Sequence, residues 1–208
     1  MREKNSSVIP KVLFAAYLIF FTLLGIHPYS RQVWIAENIP IVLIVAGLVV
    51  LYFRGIYFSG LAYILMACLI FMHTVGGYYT FERVPFDWFD KTFGFGRNMY
   101  DRVAHFTVGF YAFAILECSD RRQWIRPRFA AYLFAFCIIA TVAMSYEIIE
   151  WQYAVRSNSE AGLAFLGSQG DIWDAQKDML MDSLGAVFAL FLYFILDLRK
   201  KQTGRKIE

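Results

Sequence analysis

The chain has 208 residues, of which 59% are hydrophobic and 19% aromatic, and its mean hydropathy is +0.47. A soluble domain is closer to half apolar, so this composition points to an integral membrane protein. The formal net charge is only +3 and the basic residues are scattered over short connections, which excludes a nucleic-acid-binding surface.

Six apolar segments follow one another: Val8–Ile26, Val33–Phe53, Ile56–Tyr79, Tyr100–Cys118, Phe129–Trp151 and Met179–Leu198. Each is near the ~20 residues a helix needs to cross a bilayer. They predict an all-α polytopic bundle of six transmembrane helices, a single transmembrane domain over residues 1–208. The first lacks a small-x-small cleavage site before Ile26-His27-Pro28 and is followed by further spans, so it reads as a retained helix. In the second, Glu37, Asn38 and Pro40 put the start of the helix proper near Ile39 and leave it short. Arg54-Gly55 makes a tight turn into the third. No internal repeat, low-complexity stretch or helix broken at mid-depth is apparent. The odd count of three cysteines (Cys68, Cys118, Cys137), without CxxC, argues for small packing residues rather than disulfides or a thiolate metal site.

Lys and Arg set the orientation. One set of alternate connections holds Arg2, Lys4, Lys11, Arg54, Arg121, Arg122, Arg126, Arg128, Arg199, Lys200, Lys201, Arg205 and Lys206, thirteen of the twenty. The other holds Arg31, Arg83, Lys91, Arg97, Arg102, Arg156 and Lys177. The positive-inside rule puts the first set, and both termini, in the cytoplasm. The acids show the opposite bias. Glu37, Glu82, Asp87, Asp90, Asp101, Glu147, Glu150, Glu160, Asp171, Asp174, Asp178 and Asp182 map outward; Glu3, Glu117, Asp120, Asp197 and Glu208 map inward. His27, His73 and His105 also fall at outer ends. Trp34, Trp88, Trp151 and Trp173 on the outer side and Trp124 on the inner suit an interfacial belt. The aromatic outer loop around Trp88 suits either the membrane surface or a lid.

Three sets of polar residues stand where lipid makes them costly. Asp101 and His105 lie one turn apart on one helix face, so the carboxylate is placed to orient the imidazole as a metal ligand or general base. A helix-start acid and a packed histidine are the structural alternative. Glu147 and Glu150 share a face at a helix C-terminus, where the dipole and mutual repulsion both disfavour them. A cation, Arg97 or Arg102, or a shared proton is expected to compensate. Asp171, Asp174, Asp178 and Asp182 step by three, four and four along one face. Asp171 or Asp174 suits capping, but Asp178 and Asp182 run deeper. Ser183, Gly185 and Ala186 allow close helix approach.

These residues converge on one level from at least three helices. The candidate catalytic set is Asp101, His105, Glu147, Glu150, Asp178 and Asp182. A divalent metal ion is a candidate cofactor, with His73, His105, Glu147, Glu150 and Asp182 as ligands; a metal-free network of carboxylates, Arg and His is the alternative. Arg97, Arg102, Trp88 and Asp174 are candidate substrate contacts. There is no HExxH, P-loop or GxSxG to name a reaction.

Several runs carry a family resemblance: His73-Thr-Val-Gly-Gly, Pro85-Phe-Asp-Trp88, Asn98-Met-Tyr-Asp-Arg-Val-Ala-His-Phe106, Glu147-Ile-Ile-Glu-Trp151, Gln169-Gly-Asp-Ile-Trp-Asp174 and Asp182-Ser-Leu-Gly-Ala186. Together they resemble the YjdF family of bacterial inner-membrane proteins, which has no assigned activity. The spacing Asp101-Arg-x-x-His105-Phe, Glu147-x-x-Glu150 and Asp178-x-x-x-Asp182-x-x-Gly185 is similar, more distantly, to the VanZ-like pattern, which departs at Arg102, Glu150 and Asp182. VanZ-like proteins are linked to low-level lipoglycopeptide resistance, so that likeness implies a role at the cell envelope.

Three readings follow. The first is a membrane-embedded enzyme or ligand-binding protein on the outer face of a bacterial inner membrane, whose partners are membrane lipids or lipid-linked envelope intermediates. The second is a proton- or ion-coupled transporter, disfavoured because the inner halves of the helices lack matching polar residues. The third is a non-catalytic envelope or assembly factor. Nothing in the segments specifies an oligomeric state.

Overall fold

The computed structural model describes residues 8–157, 166 and 168–202. Of the charges used above for orientation, Arg2, Glu3, Lys4, Glu160, Arg205, Lys206 and Glu208 lie outside the described residues. Every regular element within them is helical, as lipid demands of a chain that must satisfy its own backbone groups. In order these are α1 (Val8–Leu24), α2 (Arg31–Phe53), α3 (Gly60–Tyr79), a 3-10 turn (Phe81–Arg83), α4 (Asp87–Phe93), α5 (Tyr100–Val108), α6 (Tyr111–Arg122), α7 (Arg128–Ser157) and α8 (Asp174–Gln202). Four of them, α2, α3, α7 and α8, are long and apolar enough to cross a membrane. α1 is apolar but shorter, at 17 residues.

α2 does not start near Ile39. It starts at Arg31, where the Ser30 hydroxyl accepts the Val33 N–H at 3.4 Å, and it runs through Pro40 without a stop. The pyrrolidine leaves Ala36 without its helical donor, yet tertiary contacts offset that cost. Glu37 is only 1% exposed, and the Asn38 side chain donates back to the Trp34 carbonyl at 2.9 Å. Trp34, expected in the interfacial belt, is instead buried against Phe21 with ring centroids 5.3 Å apart. Trp88, Trp124, Trp151 and Trp173 are exposed.

The fourth apolar segment is not one unbroken helix. α5 and α6 meet at Gly109–Phe110, where i→i−3 bonds replace the α ladder: Phe110 N–H donates to Thr107 O at 3.1 Å and Ala112 N–H to Gly109 O at 3.0 Å. Both joint residues keep right-handed helical dihedrals, so the rod is tightened rather than turned. The cause lies across the interface. A Cβ on Gly109 would run into the backbone of Asp182, Gly185 and Ala186, and one on Gly185 into the Phe106 carbonyl. Two backbones touch there, which only glycine on both sides permits.

α3 packs against α1, α2, α5 and α6, while α8 packs against α5, α6 and α7. The core between them is built on small side chains: Ala62, Ala112, Ala131, Ala135, Ala186 and Ala189 are essentially inaccessible. Between helices in lipid the drive is close packing rather than water exclusion, and small residues maximise it. Polar groups gather at the two ends of this apolar core. At one end the Glu117 carboxylate accepts the Ser59 N–H and hydroxyl at 3.0 and 3.1 Å and pairs with Arg121, while Arg128 bridges Asp120 and Asp197 at 3.1 and 2.7 Å. The other end holds the candidate site. All three cysteines are free.

Candidate functional site

The site is assembled near five helix ends: the N-terminal parts of α2, α5 and α8 and the C-terminal parts of α3 and α7. α5 carries Asp101, Arg102 and His105; α7 carries Tyr146, Glu147 and Glu150; α8 carries Asp174, Asp178 and Asp182. All nine are buried or nearly so. The connection before α5 is tied down so that these side chains aim inward. Asp90 on α4 accepts the Met99 N–H at 3.1 Å, and Asn98 is held by the carbonyls of Glu82 and Val84 at 3.1 and 2.7 Å. Thr80, the residue after α3, takes a φ of 62°, unusual for a β-branched side chain. That turn lays the Phe81 ring on His73, with centroids 5.0 Å apart, against the bare backbone of Gly76.

Nearest the surface, two guanidiniums bind the α8 acids. Arg97 reaches Asp174 at 2.6 Å, and Arg102 reaches Asp174 at 2.5 Å and Asp171 at 3.4 Å and also pairs with Asp178. The expectation that these arginines compensate Glu147 and Glu150 therefore fails; both are drawn to the start of α8, where Asp174 and Asp178 converge with Asp171 from the turn before it. Asp171 accepts Lys177 at 2.7 Å and the Trp173 N–H at 3.1 Å. These contacts, Lys177 first, hold its carboxyl below the usual range, so it is ionised at neutral pH and its pairing is lost only as the pH falls through that lowered value.

One layer deeper, His105 stands between two helices. Its Nδ1 lies 3.2 Å from Asp182, and its Nε2 faces Asp101 at 3.6 Å and Asp178 at 3.8 Å. Glu147 feels the charges of His105, Asp178, Asp101 and Asp182, and its Oε1 is buried without a hydrogen-bond partner among the described residues. A third group joins His73, already a candidate, to Glu37 and Tyr146, which the sequence had not placed in the site. His73 Nε2 lies 3.0 Å from Glu37, which also accepts the Tyr146 hydroxyl at 3.2 Å. Glu37 had read as a loop acid because Pro40 follows it; a carboxylate inside an apolar segment was the available signal. A cavity of about 10 Å³, room for roughly one water, is ringed by Glu37, His73, Asp101, His105, Tyr146 and Glu150.

The charges do not balance. Eight carboxylates (Glu37, Asp101, Glu147, Glu150, Asp171, Asp174, Asp178, Asp182) gather in this cluster, and among the described residues the permanent cations paired with them are Arg97, Arg102 and Lys177. Even with both imidazoles protonated, negative charge remains, and protons or a bound cation must offset it.

Below the cluster the recess becomes apolar. A cavity of about 260 Å³ is lined by Ile44, Ile115, Ile138 and Val142, with His73, His105, Tyr146 and Asp182 on the same wall. Trp88 does not line it. It is exposed on α4, in a patch with Phe93 and Phe95, and His27 is exposed as well. Among the sequence candidates, the structure thus gathers Asp101, His105, Glu147, Glu150, Asp178 and Asp182 with Arg102, Arg97 and Asp174, and reaches His73 through Glu37.

Comparison with known proteins also points to a membrane protein. The inner membrane protein YjdF of Escherichia coli (strain K12) is 32% identical over 169 residues, 78% of this chain and 78% of that protein. No solved structure matches the chain. The family described as predicted membrane protein (DUF2238) matches residues 9–199. With nearly all of its helices inside that match, the chain belongs to this family of membrane proteins.

Proposed function

We propose that the chain is a six-span protein of a bacterial inner membrane whose acidic recess faces away from the cytoplasm and takes an amphiphile, a lipid or lipid-linked envelope intermediate. The spans in this reading are α1, α2, α3, the α5–α6 rod, α7 and α8, with both termini cytoplasmic. The basic residues of the opposite end support that orientation. A distant VanZ-like spacing points to the same compartment.

The observation that carries the functional reading is the continuity of groove and cluster. Ile115, Ile138 and Val142 share one cavity with His73, His105, Tyr146 and Asp182. An apolar chain and a polar head meet complementary surfaces within a single recess. Arg97 suits an anionic head, because its Nε and Nη2 are buried without partners among the described residues and so keep donors to offer a phosphate. His105, oriented by Asp182, turns its Nε2 toward such a head, where it would act by acid–base chemistry or by holding a cation.

The test is lipid retention. Native mass spectrometry of protein purified in mild detergent should find a tightly held lipid, and Val142→Trp, which fills the groove, should release it while melting no lower than delipidated wild type. Unchanged retention in that variant would end the reading. Orientation is checked separately in a cysteine-free background. A cysteine at Lys177 should react with an impermeant maleimide from the periplasm and one at Arg126 should not; the reverse pattern would overturn the orientation.

A carrier is the second reading, favoured by the interrupted ladder at Gly109–Phe110, since transporter sites are often built at discontinuous helices. The layer of Ala112, Leu116, Ala135, Ile139 and Ala189 between the two polar ends weighs against a through-path.

A further inference from the structure

The acid–histidine layer has a geometry that hydrogen bonding does not account for. His105 Nε2 lies 3.6 Å from Asp101 and 3.8 Å from Asp178, beyond hydrogen-bond distance. One ligand atom from each of these three residues lies within 4.8 Å of the others. That spacing suits atoms around one ion, because metal–ligand bonds of about 2.1 Å set neighbouring ligands roughly 3 to 4 Å apart. All three residues are at least nine-tenths buried. A second observation points the same way. Glu147 is 8% exposed, its Oε1 has no partner among the described residues, and His105, Asp178 and Asp101 are near enough to act on its charge. The arrangement behind the ligands is also the one metal sites use. A ligating imidazole commonly gives its other N–H to a carboxylate, and His105 Nδ1 has Asp182 at 3.2 Å. Ligating carboxylates are themselves held, and Arg102 clamps Asp178 to Asp174.

We infer that His105 Nε2, Asp101, Asp178 and Glu147 bind a divalent cation, with Asp182 as the positioning residue that fixes the imidazole. Three carboxylates and one imidazole suit Mn²⁺ or Zn²⁺. The inference deepens the reading of the recess given above and rests on it only for what the cation meets: the oxygens of an anionic headgroup at the top of the groove. The cation also supplies positive charge beside Asp101 and Glu147, with which Arg97 and Arg102 form no ion pair among the described residues.

Chelator-stripped protein in detergent is titrated with Mn²⁺ or Zn²⁺ alone, followed by elemental analysis and thermal shift. Wild type should take up near-stoichiometric metal and melt higher. The near-isosteric Asp101→Asn and Glu147→Gln should each weaken binding at least tenfold, and Asp182→Asn by roughly 10- to 100-fold. Asp87→Asn, on the exposed side of α4, should bind as wild type. Each variant is admitted by its monodisperse elution in metal-free buffer, so a misfolded Asp101→Asn leaves Glu147→Gln to decide. Wild type that binds neither metal overturns the inference, as does binding that survives both variants. Lipid is measured in the same samples. Metal kept without lipid supports the cation centre and sinks only the amphiphile reading, whereas lipid kept with no metal sinks the cation centre alone.

Discussion

Valine at Gly185 should separate α8 from the α5–α6 rod and destabilise the protein by about 3 kcal/mol or more, at the upper end of overpacking costs. Here the obstruction is backbone rather than a movable side chain. A Cβ at this position would sit on the Phe106 carbonyl, and the facing Gly109 has no room to retreat from the backbone of α8. Even Gly185→Ala should be felt, and Gly109→Ala similarly. Gly47, whose Cβ would meet nothing within 4 Å, is the control, and Gly47→Ala should be neutral or slightly stabilising. Denaturation in mixed detergent micelles measures all four. Wild-type stability in Gly185→Val would mean that the joint at Gly109–Phe110 is not produced by this contact. The consequence extends to the site, because the same interface sets His105 on α5 against Asp182 on α8.

Truncating Arg102 should cost about 3 to 5 kcal/mol, the range seen when one partner of a buried ion pair is removed. The side chain is 4% exposed and touches Asp171, Asp174 and Asp178. Most of the loss should come from the carboxylates left behind. Adding Asp174→Asn and Asp178→Asn to Arg102→Met should therefore recover much of it, a coupling that a mutant cycle reads directly. Arg102→Lys should recover little, since a single ammonium cannot replace a planar fork that spans several carboxylates. Additive losses across the cycle would show that Arg102 contributes through packing alone.

Some of this was open to reading along the chain, for identifiable reasons. Asp101 and His105 announce themselves because four residues in a helix return to the same face. The steps of Asp174, Asp178 and Asp182 do the same for α8, whereas Asp171, expected on that face, lies in the turn before the helix. Other features defeated local reasoning. Pro40 reads as a helix start until Glu37 is seen paired with His73 and Tyr146, contacts that let α2 continue through it. Trp34 reads as an interfacial anchor until α1 is seen lying against it through Phe21. Arg97 and Arg102 were equally good partners for Glu147 or for Asp174; the rotation of α8 about its axis chose the latter.

Membrane class, helical content and the bias of acids and bases to opposite ends are sums over consecutive residues. Transfer into lipid is charged segment by segment, so each could be added up without knowing any neighbour. Which acid meets which base is not such a sum. His105 finds Asp182 across 77 positions and Tyr146 finds Glu37 across 109. Those meetings depend on helix rotation and on how closely two backbones can approach, which Gly109 and Gly185 settle by carrying no side chain at all.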